Sequence, residues 1–430
     1  MSHEPSLKPL RALLVQAMAR RETRERAERL ATELEKLAIS AGIEPLGIRF
    51  YSLPRAHSGT FLGTGNLESL ATDIIEQEAN LVVFNHSLTP TQQRNLEKAL
   101  AAKVSDRTGL ILEIFSARAR TREGRLQVEL AALLYQQSRL VRSWTHLERQ
   151  KGGVGLRGGP GETQIEVDRR MIRDRIQKLE KSLETVKRTR TLQRRARQDV
   201  PFFSVALVGY TNAGKSTLFN RLTGAHVIAE DQLFATLDPT LRKIELPNGD
   251  RIILSDTVGF IRDLPHQLVA AFRATLEETL EADLLLHVVD LSDPEWEEQE
   301  ASVLETLREL TVENKPMLTL YNKIDLLPPE AGRIARVRER TNTLILSAVS
   351  NTGVADLLDA LGSASRKTAQ TVHLILPAVE GALLARLCQE GHVQERLDVD
   401  DKIHLTVSLS SIARGRLDPL IRDYLVEKSE

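Results

Sequence analysis

The chain has 430 residues, 41% of them hydrophobic, and a formal net charge of −1. Its length calls for roughly two to four domains, and its one cysteine, Cys388, excludes an intrachain disulfide and is expected as a buried or partly buried thiol. No apolar run approaches the ~20 residues of a membrane span and no leader peptide is recognisable, so the expectation is a soluble, cytoplasmic protein with at most peripheral membrane attachment.

The near-zero charge conceals an asymmetry. Residues 1–200 carry a net +11 and residues 201–430 a net −12, and the positive excess lies within 118–199. A solvated coiled coil is often charged as well, but the excess here is mostly arginine, whose planar fork suits phosphate, so a polyanionic partner is the better reading.

In chain order, Ala12–Met18, Gly47–Leu53 and Leu81–Asn85 read as strands, and 21–40, 66–79 and 90–101 as amphipathic helices. This alternation predicts a small, mostly parallel α/β domain over 1–117. Gly63-Thr64-Gly65 reads as a structural turn ahead of a helix near Leu67, with a second nucleotide site there left open.

Two long helices follow, over 118–149 and 162–199. Leu126, Leu130, Leu133, Leu140, Trp144 and Leu147 recur at heptad-like spacing in the first, and Ile165, Ile172, Ile176, Leu179, Leu183 and Val186 in the second. Between them, K-G-G-V-G-L-R-G-G-P-G at 151–161 opposes helix formation through its Gly and Pro content. An antiparallel hairpin with a Gly-rich tip satisfies both observations, and its second helix would reach ~55 Å.

Pro201 opens a third region, 200–367. Strand patterns at Phe203–Gly209, Ile252–Ser255, Leu284–Asp290, Met317–Tyr321 and Thr343–Leu346 alternate with helical ones, as a doubly wound sheet requires. The tail, 368–430, reads as strand, helix, strand, strand, helix and carries no motif.

The third region contains the chemistry. G-Y-T-N-A-G-K-S at 209–216 follows a strand and opens a helix. In that setting Gly209, Tyr210, Thr211, Asn212, Ala213 and Gly214 wrap backbone N–H groups around phosphates. Lys215 bridges the outer phosphates, the Ser216 hydroxyl ligates Mg²⁺, and Thr217 continues the helix N-terminus. D-T-V-G at 256–259 places Asp256 near the Mg²⁺ shell, through water, with Thr257 and Val258 leading to Gly259, whose N–H suits a γ-phosphate. F-A-T-L-D-P-T at 234–240 contributes Phe234 and a threonine for the same ion: Thr236 is preferred and Thr240 stays open. The catalytic set is therefore Lys215, Thr236 and Gly259.

N-K-I-D at 322–325 and S-A at 347–348 read a base. The Asp325 carboxylate can accept from the N1–H and 2-amino group of guanine, which adenine lacks. Asn322 supports the loop, Lys323 lies along the base, and Ser347 and Ala348 offer N–H groups to the guanine oxygen. The ligand is GTP or GDP with Mg²⁺, and Asn212 could admit K⁺. Phe260 stands where many small GTPases keep a water-orienting glutamine, so intrinsic hydrolysis is expected to be slow and stimulated by a partner. His226, His266 and His287 lack metal-ligand spacing and read as structural.

Over nearly its whole length the chain resembles the HflX family of translation-factor-class GTPases. The likeness rests on D-R-T-G-L-I-L-E-I-F-S-A-R-A-R-T at 106–121, L-Q-V-E-L-A at 126–131, G-G-V-G-L-R-G-G-P-G-E-T-Q-I-E-V-D-R-R at 152–170, and D-T-V-G-F-I-R-D-L-P at 256–265. It implies an α/β P-loop GTPase sheet, preceded by a small α/β domain and a helical hairpin, and followed here by a small α+β tail. It also implies binding to the large ribosomal subunit and its rRNA, with splitting or rescue of stalled ribosomes under stress. Gly152, Gly153, Arg157 and Gly159 would then face rRNA. Asn66 stands where the family usually has a lysine, which weakens an anion-binding role for the N-terminal domain. The free protein is expected to be a monomer. The alternative is a GTP-regulated rRNA or tRNA processing or ribosome-assembly factor.

Overall fold

The computed structural model describes residues 10–426, apart from 21, 54, 143–163, 196–202, 226–232, 235, 237–239, 263–276, 313, 329–331, 368–369 and 410. Its contacts separate two units: residues 1–184 with 230–238 and 263–273, and residues 185–229, 239–262 and 274–430.

The first unit is built on four parallel strands, β1 (Arg11–Met18), β2 (Glu44–Ser52), β3 (Leu81–Phe84) and β4 (Lys103–Asp106), in the order β2-β1-β3-β4. Helices α1 (Arg24–Ser40), α2 (Thr64–Glu76), α3 (Pro90–Leu100) and α4 (Arg107–Arg118) alternate with them. Side chains fix the helix starts. Thr23 accepts from Arg26 N–H, and Thr89 and Gln92 form a reciprocal capping box ahead of Pro90, whose missing N–H costs nothing there. Thr64 and Gly65 prove to be the first residues of α2, so the expected turn is the helix entry itself. Strand β4 and helix α4 were not foreseen, because K-V-S-D is short and polar and α4 is apolar nearly all round.

Two further helices follow, α5 (Arg122–Arg142) and α6 (Gln164–Arg195), the latter ~48 Å long at helical rise. They pack through Leu130, Ile176 and Leu179, flanked by Leu126, Leu133, Ile172 and Leu183, so the heptad seam is real where it is described. An ion pair joins Arg175 to Glu129 at 2.6 Å. The C-terminal half of α5 is fastened to the sheet by Asp106, 1% exposed, through Tyr135 and Arg139. Its carboxylate accepts from Leu88 N–H at 3.1 Å, Gly109 N–H at 3.0 Å, Tyr135 Oη at 2.6 Å and Arg139 Nη2 at 2.6 Å. Burial beside that carboxylate pushes the Tyr135 phenol far above its ordinary pKa.

In the second unit, six strands take the order β10-β9-β8-β5-β7-β6: β5 (Phe203–Gly209), β6 (Thr240–Glu245), β7 (Arg251–Asp256), β8 (Leu284–Asp290), β9 (Met317–Asn322) and β10 (Thr343–Ile345). All pairings are parallel except β6 with β7. The β6–β7 hairpin was missed, although Asn248-Gly249 ahead of the apolar Ile252–Leu254 run is a hairpin-turn signal, and Gly249 takes φ +81° there. Helices α7 (Lys215–Thr223), α8 (Glu277–Glu281), α9 (Trp296–Glu309), α10 (Gly332–Arg338) and α11 (Val354–Lys367) complete this part. The tail forms an antiparallel sheet β11-β13-β12, from β11 (Gln370–Pro377), β12 (Gly391–Val399) and β13 (Lys402–Leu409), with α12 (Gly381–Glu390) and α13 (Ser411–Ile421). Cys388 corrects an expectation: it lies on the exposed side of α12, because Leu383 and Leu387 supply that helix's buried face.

Candidate functional site

The phosphate loop lies between β5 and α7. Gly209 has φ +153°, and a Cβ there would run into the Val288 carbonyl of β8; Gly214 has φ +95° and abuts the Asn322 side chain. Both positions therefore need glycine for space as well as for backbone angle. Asn212 takes φ +61° within the loop, a conformation that asparagine tolerates better than most residues.

Lys215 is 6% exposed, and its Nζ donates to Gly209 O at 3.0 Å and Tyr210 O at 2.7 Å. Burial lowers its pKa to about 8, against a raising influence from Asp256 and a further lowering one from Lys323. Ser216 Oγ donates to Asp256 Oδ2 at 2.7 Å, which brings a hydroxyl and a carboxylate, both hard oxygen donors, to one point. Asp256 is fully buried at the end of β7. Next to it, the Thr257 hydroxyl donates to Leu207 O at 2.6 Å, which locks β7 to β5 just below the loop.

The D-T-V-G-F segment then runs along the phosphate loop. Phe260 N–H donates to Gly209 O at 3.0 Å and Thr211 N–H donates to Phe260 O at 2.7 Å, a parallel bridge between Tyr210 and Phe260. Gly259 is so near that a Cβ there would lie 3.0 Å from Lys215 Nζ and 2.9 Å from Thr211 Cγ2. Val258 and Phe260 are buried. Tyr210 Oη accepts from Arg262 N–H at 3.0 Å, and Arg262 pairs with Glu295 at 2.7 Å and Glu298 at 3.2 Å.

The N-K-I-D and S-A loops close on the same β-sheet end. Asn322 Nδ2 donates to Ala213 O at 2.9 Å, tying the N-K-I-D strand end to the phosphate loop, and its Oδ1 accepts from Ala348 N–H at 3.0 Å. Lys323 adopts φ +64° and its Nζ lies 2.8 Å from Asp290 Oδ2. Asp325 is exposed in the short helical turn that follows, with its carboxylate open to solvent. Ser347 is fully buried; its Oγ accepts from Ser350 N–H at 3.0 Å.

Both S-A amides, expected to face a guanine oxygen, are already committed, Ser347 N–H to Thr352 O at 2.9 Å and Ala348 N–H to Asn322 Oδ1, and in this arrangement they brace the loop. Phe234 falls in the first unit. Its ring, 2% exposed, meets Phe115 edge-on at 4.6 Å in the first unit, where Leu233 N–H also reaches Ser40 Oγ at 3.2 Å. Thr236 is buried and belongs to the same stretch of the first unit. Thr240, the alternative, is the first residue of β6, in register with Asp256. The tip residues Gly152, Gly153, Arg157 and Gly159 lie outside the described residues, as do His226 and His266.

Sequence reasoning missed the Tyr210–Arg262–Glu295 connection. Tyr210 was visible only as a loop residue, and nothing in the spacing of Arg262 and Glu295 indicates that they meet. His287 is 1% exposed, and neither ring nitrogen has a hydrogen-bond partner. Burial, with Lys215 nearby, lowers its pKa to about 4. Among the described residues no group of three or more His, Cys, Asp or Glu side chains could hold a metal ion. No described helix is long and apolar enough to cross a membrane.

Three family descriptions match successive parts of the chain: "GTP-binding GTPase N-terminal" over 28–116, "GTP-binding GTPase Middle Region" over 118–197, and "50S ribosome-binding GTPase" over 204–323. A GTPase HflX of Magnetococcus marinus is 59% identical over 409 residues, covering 95% of this chain and 94% of that one. The chain belongs to the HflX family. GTPase HflX of Escherichia coli is 47% identical over 401 residues, covering 92% and 93%. Among solved structures, a GTP-binding protein of the archaeon Sulfolobus solfataricus in complex with GDP is 27% identical and covers 82% of this chain and 98% of its own, with a TM-score of 0.44. With HflX relatives at this identity and a matching GTPase domain, the chain is a GTPase.

Proposed function

We propose that this HflX-family GTPase is a GTP-switched factor that engages the large ribosomal subunit through its basic helical arm and splits or rescues stalled ribosomes under stress. The observation that carries the proposal is the net +11 within 118–199, beside a GTPase region whose family is described as 50S ribosome-binding. A surface of that sign gives salt-sensitive rRNA affinity. In this reading the chain divides into 1–117, the arm 118–199 with Gly152, Gly153, Arg157 and Gly159 facing rRNA, the GTPase domain 200–367 and the tail 368–430. Ser216 and Asp256, with Thr236, would hold Mg²⁺, which neutralises charge on the outer phosphates; Asn212 would receive K⁺. Asp325 would read guanine, and Gly259 would sense the γ-phosphate. Phe260 lacks a group to orient water, so hydrolysis is slow until the ribosome supplies one. The free protein is a cytoplasmic monomer, with or without peripheral attachment to a membrane.

Sedimentation through a sucrose gradient tests this, with 70S ribosomes and either a non-hydrolysable GTP analogue or GDP. Analogue-dependent comigration with the large subunit and loss of whole ribosomes is the expected result. Deletion of 150–162 should abolish splitting and leave GTP binding intact. Absence of ribosome binding in both nucleotide states would refute the reading and favour an RNA-processing or assembly role.

A further inference from the structure

The D-T-V-G-F segment has two incompatible demands on it. To offer its N–H to a terminal phosphate, Gly259 must leave room beside Lys215 for that phosphate. In the structure Gly259 is pressed close to Lys215: a Cβ built on it would stand 3.0 Å from Lys215 Nζ. One amide of the phosphate loop, Thr211 N–H, is meanwhile bonded to Phe260 O at 2.7 Å. Lys215 itself is turned onto the carbonyls of Gly209 and Tyr210. A γ-phosphate can therefore be bound by Lys215 and Gly259 only after Phe260 separates from Thr211. A nucleoside diphosphate makes no such demand.

Two side chains hold the segment where it is. The Tyr210 phenol, on the loop, accepts from the backbone N–H of Arg262 at 3.0 Å. The Arg262 guanidinium is anchored on the start of α9 by Glu295, at 2.7 Å with both side chains about nine-tenths buried, and by Glu298. The motifs assign Tyr210 only a backbone N–H beside the phosphates, leaving its phenol without a role, and assign Arg262 none. We propose that Tyr210 and Arg262 are positioning residues for the GTPase reaction: they latch Phe260 to the phosphate loop, and the strength of this latch sets how strongly the site prefers GTP over GDP. The latch favours one arrangement of a two-state segment, and a ligand shifts such an equilibrium only by its differential affinity for the two arrangements.

The test is the ratio of affinities for a non-hydrolysable GTP analogue and for GDP, measured by calorimetry on the full chain with Mg²⁺ and without ribosomes. Tyr210→Phe deletes only the accepting oxygen. Loss of one hydrogen bond from the latched arrangement should raise the analogue-to-GDP affinity ratio by about 2- to 10-fold. Arg262→Lys, which keeps the backbone N–H and weakens the anchor on α9, should move the ratio in the same direction and by less. Thermal denaturation of each variant checks that the fold is retained. A ratio unchanged in Tyr210→Phe, or moved toward GDP, overturns the proposal, because a merely structural tyrosine would weaken both nucleotides alike.

Discussion

The nucleotide site and the helical arm of this GTPase carry their information in opposite ways. At the site, individual atoms matter: Gly209 and Gly214 have no room for a side chain, and Asn322 reaches both Ala213 and Ala348. Along the described part of the arm a spaced apolar seam and a diffuse basic charge do the work, and two of its side chains, Tyr135 and Arg139, are held by Asp106. The comparison teaches that substitutions at the site should produce large, specific losses of nucleotide chemistry. Those in the arm should act through stability or through total charge.

The largest effect expected is on base choice. Asp325→Ala should erase most of the discrimination between GTP and ATP, on the order of 10⁴-fold, when the two are compared in competition binding. Next, Lys215→Ala should lower kcat/KM for GTP by about 10²- to 10³-fold with circular dichroism unchanged. The same lysine imposes a pH limit. Its pKa is lowered to about 8, so it loses its proton and its attraction for phosphate well below the ordinary lysine range; association with GTP should weaken as pH rises above about 8.

The arm supplies a contrasting stability effect. Asp106→Ala would take the buried carboxylate partner from the half-buried Arg139 and Tyr135, and should cost about 3 kcal/mol in urea unfolding of the first unit. GTP hydrolysis without ribosomes should stay near the parent rate. If hydrolysis fell with Asp106→Ala as steeply as with Lys215→Ala, the division between site and arm would be broken.

The smallest effect sharpens the comparison within the second unit. His287 stays neutral in the fold down to about pH 4 and is protonated near 6.5 when unfolded, so its contribution is present above 6.5 and is lost as pH falls toward 4. His287→Leu removes an unpartnered buried imidazole. It should stabilise the chain by about 1–2 kcal/mol at pH 5 and flatten the stability profile between pH 4 and 6.5, read by denaturant titration.

Legibility in the sequence followed the same division. Most parallel strands of both large sheets were visible because buried strands are continuous apolar runs, as in Leu284–Asp290. Two of the four edge strands, β4 and β6, were not. They are polar because one face meets solvent, and the alternation that would reveal them is short. The site's phosphate and base motifs were legible for a related reason: close approach to a phosphate or a purine leaves few residue types that fit, and they must stand at fixed spacing. The hydrogen bonds that hold the Ser347 and Ala348 amides, and the contact of Phe234 with Phe115, were not legible, because spacing says which residues come near, and not which atom an amide or ring has already taken.

From the amino-acid string alone came the GTP site, the basic arm, the parallel sheets and the family resemblance, since each depends on local order, on periodicity or on charge sums. Only the tertiary structure joined Tyr210 to Arg262 and Arg262 to Glu295, set Asp106 under the arm, turned Phe234 onto Phe115, and left His287 without a partner. These contacts link residues far apart in the chain through side chains of unremarkable type. Their free energy comes from burial and hydrogen-bond geometry, which exist only once the sheets have brought the partners together.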